Sequence, residues 1–121
     1  MSQIDFWAEM TVEEGKLDQF LKLARETVDV VKKEPGCRRY SWYFNEEERR
    51  CHVHETWVDA AAVLAHFEGP AVTEMLAQIV EIAQITRLEL HGEFEDMSPE
   101  ATSMLTGFGA TYFTPIASFI R

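Results

Sequence analysis

Residues 49–57 read RRCHVHETW, and the direction each of these side chains takes decides both fold and site. Successive residues of a strand point to opposite faces. His52 and His54 therefore share one face, while Val53, Glu55 and Trp57 share the other. An ion held by HVHE would need both imidazoles and the carboxylate to converge, which a regular strand forbids. No bound metal is expected. The preceding stretch, CRRYSWYF (37–44), is rich in aromatics and reads as a partner strand. NEEER (45–49) between them is a charged turn. A hairpin turning there sets Tyr40 opposite Glu55, Trp42 opposite Val53 and Arg38 opposite Trp57. On the reverse face Ser41 meets His54, Tyr43 meets His52 and Arg39 meets Thr56. The same register puts Cys37 opposite position 58 and Cys51 opposite Phe44, so both should be free thiols.

Working outward, IDFWAEM (4–10) alternates, with Ile4, Phe6, Ala8 and Met10 on one side and Asp5, Trp7 and Glu9 on the other. That period of two predicts a first strand. Thr11 and Glu14 stand at capping-box spacing. Leu17, Phe20, Leu21, Ala24, Val28 and Val31 then form one helical stripe, which Pro35-Gly36 ends. After the hairpin, Asp59 can cap the short helix AAAVLAHF, which Gly69-Pro70 breaks. A further helix is predicted over about 71–84, with Val72, Met75, Leu76, Ile79, Val80 and Ala83 inward. TRLELHGEF (86–94) reads as a fourth strand carrying Leu88 and Leu90 on one face. Ser98-Pro99-Glu100 opens a last short helix, and an aromatic tail, GFGATYFTPIASFIR, follows. The order β-α-β-β-α-β is the α+β ferredoxin-like arrangement, with helices on one face of an antiparallel sheet. The predicted division is a domain over 1–93 and an extension over 94–121 that packs on its own or a partner subunit.

The 121 residues suit one domain, 46% hydrophobic and with a net charge of −10. That field repels phosphate backbones and anionic membranes, so neither nucleic acid nor membrane is an expected partner. No apolar run approaches the roughly 20 residues of a membrane span. No basic start and apolar run precede the first strand, and two cysteines make no disulfide framework. An intracellular, cytoplasmic location is expected.

The two faces differ in chemistry. One gathers Ile4, Phe6, Ala8, Tyr40, Trp42, Val53, Trp57, Leu88 and Leu90, with Glu55 and Arg38 as its polar members. It must face the helices. The other mixes Asp5, Trp7, Glu9, Arg39, Ser41, Tyr43, His52, His54, Arg87, Glu89 and His91. Trp7 and Tyr43 among balanced charges look like a surface that meets another copy of the chain, with Arg39, His52 and His54 beside them.

EPGCRRYSWYF followed by HETWVDAAAVLAHFEGPAV resembles the antibiotic biosynthesis monooxygenase family of dimeric α/β barrel proteins. The resemblance covers residues 4 to about 92. It implies two sheets facing each other across a two-fold axis and a pocket between sheet and helices in each subunit. It also implies cofactor-independent oxygenation of a small phenol, quinol or polyketide-like compound, in which the substrate's own carbanion reduces oxygen. No flavin, metal or other cofactor is then required. Phe6, Tyr40, Trp42 and Trp57 would wall the pocket, and His66 and Glu55 would serve as base and orienter. The bland reading makes Trp57 simple core and has Glu55 only tie His66 or Arg38 in place. Haem degradation in the same superfamily uses an Asn, a Trp and a His. The first strand has no Asn and His66 occupies the expected Trp position, so that activity is disfavoured. The alternative function is a non-catalytic small-molecule-binding or structural dimer.

Overall fold

The computed structural model describes residues 3–121, so the expected domain start at residue 1 lies outside the described residues. Five strands and four helices follow in the order β1 (Ile4–Val12), α1 (Leu17–Val31), β2 (Cys37–Asn45), β3 (Arg50–Trp57), α2 (Ala60–Glu68), α3 (71–79), β4 (Ala83–His91), α4 (Pro99–Gly107) and β5 (Thr111–Phe113). The sheet is open, ordered β2-β3-β1-β4-β5, and antiparallel except for the parallel β4–β5 pair. The ferredoxin-like α+β reading holds, with β5 as a strand the sequence reading left inside the tail.

Alternation in β1 acts as expected: Ile4, Phe6, Met10 and Val12 are buried and Trp7 is exposed. The predicted capping box does not form. Thr11 stays in the ladder, paired with Arg50 and Gln84. The chain then turns at Gly15, whose φ of 85° suits a residue without Cβ. Helix α1 starts at Leu17 with no side-chain cap. Its buried stripe is Phe20, Leu23, Ala24, Thr27 and Val31, rotated slightly from the predicted one. Thr27 tolerates burial because its hydroxyl donates to the Leu23 carbonyl at 2.7 Å.

The hairpin register holds from Arg39–Thr56 to Phe44–Cys51. Below it a bulge between Cys37 and Arg39 sets Cys37, not Arg38, opposite Trp57. One extra residue re-aims its neighbours, so Arg38 is exposed and reaches Gln3 rather than joining the inner face. Both cysteines are free. Asp59 caps α2 as expected, accepting from the Ala62 amide at 2.9 Å. Helix α3 is shorter than predicted: a wide π turn over Ala71–Leu76 runs into one α turn over Ala77–Ile79. Val80 is exposed and Ala83 already belongs to β4.

Two buried clusters lie between sheet and helices, one around Trp57, Leu90 and Leu105, the other around Phe20, Val53 and Ile79. Helix α4, capped by Ser98, packs Ala101 and Leu105 into the first cluster. No helix among the described residues is long and apolar enough to cross a membrane.

Candidate functional site

Pairing across four strands sets Tyr40, Glu55, Phe6 and Leu90 in one row on the inner face. Helix α2 covers this row. Its cap at Asp59 places Val63, His66 and Phe67 on the inward side, so His66 is 3% exposed. The imidazole tilts against Trp57, centroids 4.3 Å apart, and meets the edge of Tyr40 at 5.9 Å. Its last-turn position also suits a group that can become cationic.

The carboxylate within hydrogen-bonding distance of His66 is Glu34, not Glu55. His66 Nδ1 lies 3.1 Å and 3.2 Å from the two Glu34 oxygens. A carboxylate there selects the tautomer that donates from Nδ1, leaving the Nε2 lone pair free. Glu34 arrives from the turn after α1, in the EPG stretch. Gly36 explains how that turn comes so close: a Cβ at Gly36 would sit 2.4 Å from the Ala62 Cβ. Ala62 is one turn ahead of His66, so this approach docks the Glu34 turn on α2. The Gly36 carbonyl secures it by accepting from the Val58 amide at 2.9 Å.

Glu55 stands on the other side of the ring, its Oε1 3.9 Å from His66 Nε2. Trp57 Nε1 donates to that same Oε1 at 3.0 Å. Burial pushes the Glu55 carboxyl above its usual range, against the smaller opposing pull of His66. Burial, then the nearby Glu55, also hold the Tyr40 phenol well above the tyrosine range, so it stays a neutral donor. The Trp42 indole N–H lies near enough to favour the Tyr40 oxyanion. It reaches no acceptor at hydrogen-bond geometry and is a buried donor without a partner.

A cavity of about 80 Å³ opens beside this cluster. A single water needs roughly 10–15 Å³ of such space, so the room suits a small ring rather than one solvent molecule. Phe6, Tyr40, Trp42, Glu55 and His66 line it, as the sequence reading expected. Trp57 does not: it is fully buried behind His66 and supports the cluster. Leu105 and Phe108 close another side of the cavity from the C-terminal extension. Phe108 belongs to the aromatic tail expected over a partner subunit or a pocket mouth, whereas neither Leu105 nor Glu34 was foreseen as a site residue. The only local signal for Glu34 is its place one residue before Pro35-Gly36. Among the described residues no lysine or arginine lines the space.

The outer face carries the remaining named residues. Trp7, Arg39, Tyr43 and His52 are exposed and His54 is half-buried. Arg39 bonds the Tyr43 hydroxyl at 2.6 Å, and Trp7 stacks on His54 at 3.8 Å. Partial burial, then the Arg39 charge, lower the His54 pKa. His52 and His54 thus stand across the sheet from Glu55, and no cluster of three or more potential metal-ligating His, Cys, Asp or Glu side chains forms among the described residues. The thiols are weak nucleophiles at neutral pH: burial raises Cys37 to about 11 and Cys51 to about 12.

These features define a one-sided α+β sandwich with an imidazole held between two carboxylates on the wall of an apolar cavity. The sequence profile of the antibiotic biosynthesis monooxygenase family matches residues 7–78, and the chain belongs to that family. MupZ from Pseudomonas fluorescens shares the fold with a TM-score of 0.84 at 24% identity, over 98% of this chain and 94% of MupZ. A Bacteroides thetaiotaomicron protein of unknown function, described as a possible oxidoreductase, superposes with a TM-score of 0.69 at 25% identity. That match covers 76% of this chain and 98% of the other. An uncharacterised Synechocystis protein is 32% identical over 66 residues, 54% of this chain and 45% of the relative. The chain therefore spans under half the length of that relative.

Proposed function

We propose that this protein is a cofactor-independent monooxygenase for a small phenol, quinol or polyketide-like aromatic, working as a sheet-to-sheet homodimer. The observation that carries the reading is the Glu34–His66–Glu55 cluster against an apolar cavity. Family membership and the oxidoreductase description of the Bacteroides relative support it. His66 Nε2 takes the phenolic proton, and Glu34 holds the imidazolium that results. Tyr40 donates to the substrate oxygen as negative charge develops there. The electron-rich ring carbon then reduces dioxygen. One oxygen atom remains on that carbon as a carbonyl oxygen, and the other leaves as water with the ring hydrogen and the phenolic proton. Glu55, held toward its neutral form, passes a proton to that water and regains the phenolic proton from His66 Nε2, so it ends as it began. Phe6, Phe67 and Trp42 exclude solvent from the carbanion. Two free, weakly acidic thiols fit an intracellular, cytoplasmic location under the same proposal.

Oxygen uptake with 1,4-naphthohydroquinone, compared between wild type and His66→Ala, tests the reading. Catalysed uptake that collapses in a folded His66→Ala protein is the expected result. Saturable binding of the quinol with no uptake above the uncatalysed rate would instead assign the cavity to a binding protein.

A further inference from the structure

Trp42 leaves one hydrogen bond unmade. Its ring lies on the inner face of β2, with the Phe20 centroid at 5.9 Å and the Tyr40 centroid at 6.0 Å. Nε1 is buried and meets no acceptor, the one such side-chain atom among the described residues. A donor taken out of water without a partner is costly, and nearly all buried polar groups have one. An orphan of this kind on a cavity wall marks a place where a ligand supplies the acceptor.

The other polar side chains of the wall are engaged. Thr27 donates to the Leu23 carbonyl, Glu34 lies against His66 Nδ1, and Glu55 accepts from Trp57. Tyr40 stands two residues before Trp42 and so shares its face. The indole N–H lies near the Tyr40 oxygen, so an atom beside one donor is beside the other.

The surroundings narrow what that atom can be. A carboxylate ligand would enter without a cationic partner and close to Glu55, which disfavours it. An indole N–H only donates, so the fit is to an oxygen with lone pairs and no proton of its own. Ala8 supplies the room. Trp42, Val53, Ala8 and Leu88 form one row across the sheet, and all four line the cavity. Alanine is the smallest side chain of that row, so a ring laid over it can turn an oxygen toward β2.

We propose that Trp42 Nε1 and the Tyr40 hydroxyl form a two-donor site for one aryl oxygen that carries no proton. That oxygen is a ketone carbonyl on binding, or the phenolate left once His66 has taken the proton. The phenolate form rests on the oxygenase reading above, and ketone binding does not. Trp42 is thereby a specificity-determining residue, because a ring system without an acceptor leaves its N–H unpaired.

The test adds 1-tetralone, tetralin or 1-naphthoate to 15N-labelled full-length protein. The Trp42 indole signal should move downfield with 1-tetralone and stay in place with tetralin. The ketone should bind about tenfold more tightly than the hydrocarbon, the size of one or two net hydrogen bonds, and more tightly than the carboxylate. A folded Trp42→Phe protein should keep its tetralin affinity and lose most of the preference for the ketone. If that variant does not fold, the wild-type indole shift decides. An indole signal unmoved by bound 1-tetralone, or equal affinity for ketone and hydrocarbon, overturns the site. So does an indole signal that shifts upfield on Tyr40→Phe in the ligand-free protein, since Tyr40 is then its partner. A moved indole without oxygen uptake from 1,4-naphthohydroquinone overturns the oxygenase reading and leaves this site standing.

Discussion

The inner row Tyr40–Glu55–Phe6–Leu90 and the outer row Ser41–His54–Trp7–Glu89 lie one residue apart on the same four strands. Both contain an aromatic and a glutamate, yet their chemistry is opposite. Inside, Glu55 accepts from the Trp57 indole at 3.0 Å, and burial holds its carboxyl toward the neutral form. Outside, Glu89 is bound by Arg87 at 2.6 Å beside solvent. His66 is enclosed between two carboxylates, whereas His54 stacks on an exposed indole. The lesson is that residue type does not assign a role here. Helix cover on one side buries an acid and an imidazole together among aromatic rings, and its absence on the other leaves them as surface pairs.

The largest effect that could break this contrast is on turnover. His66→Ala should lower quinol-dependent oxygen uptake about 100- to 10,000-fold, the usual size of a lost general base. His54→Ala should change it less than about threefold. Equal losses in both would erase the distinction between the faces. Next, Glu34→Gln should cost about 10- to 1000-fold, because an amide can accept from Nδ1 but cannot stabilise an imidazolium as a carboxylate does. The 15N shifts of His66 report its tautomer. A Glu34→Gln protein with unaltered tautomer and rate would make Glu34 a packing residue only.

Gly36→Ala probes how the cluster is assembled. Its new methyl would meet Ala62 at 2.4 Å, and overpacking of this kind costs about 1–3 kcal/mol. Chemical denaturation should show that loss, and Gly36→Ala with Ala62→Gly should recover much of it. A fully stable Gly36→Ala protein would mean that the Glu34 turn is free to move off α2.

The smallest effect sharpens the role of Glu55. Its folded pKa is raised above the unfolded value near 4.5, so the folded state binds the extra proton between the two. Stability from this group is complete below about pH 4.5 and is lost as pH rises through the folded pKa. Glu55→Gln has no such loss. Its melting temperature should therefore gain on wild type as pH rises above about 4.5. A gap that stays constant with pH would show that Glu55 is not held as an acid.

Much of the architecture was legible because alternation and helical stripes are local. Trp7 outward and Phe6 inward follow from the period of two, and Tyr40 opposite Glu55 follows from the turn position. Arg38 escaped this logic: a bulge adds one residue without changing composition, so the inner face received Cys37 instead. Helix α3 was read too long because Val80 and Ala83 continue an apolar stripe that pairing of β4 with β1 cuts short. The fifth strand was missed because Thr111–Phe113 is exposed throughout and pairs only at the sheet edge.

The candidate site divides in the same way. His66 and Glu55 were found from the sequence because each sits at a position whose face its own element determines. Glu34 lies in a turn, 32 residues from its imidazole, where no periodicity gives a direction. Its partner is set by the close approach of Gly36 to Ala62. By itself the sequence determined the order of elements, the two faces and the central hairpin register, since short-range sterics and burial pattern dictate these. Only the tertiary structure decided which carboxylate orients His66, that Trp57 backs the site rather than lining it, and that Leu105 and Phe108 help close it. Those outcomes depend on how whole elements dock, a balance of many weak contacts that no local stretch encodes.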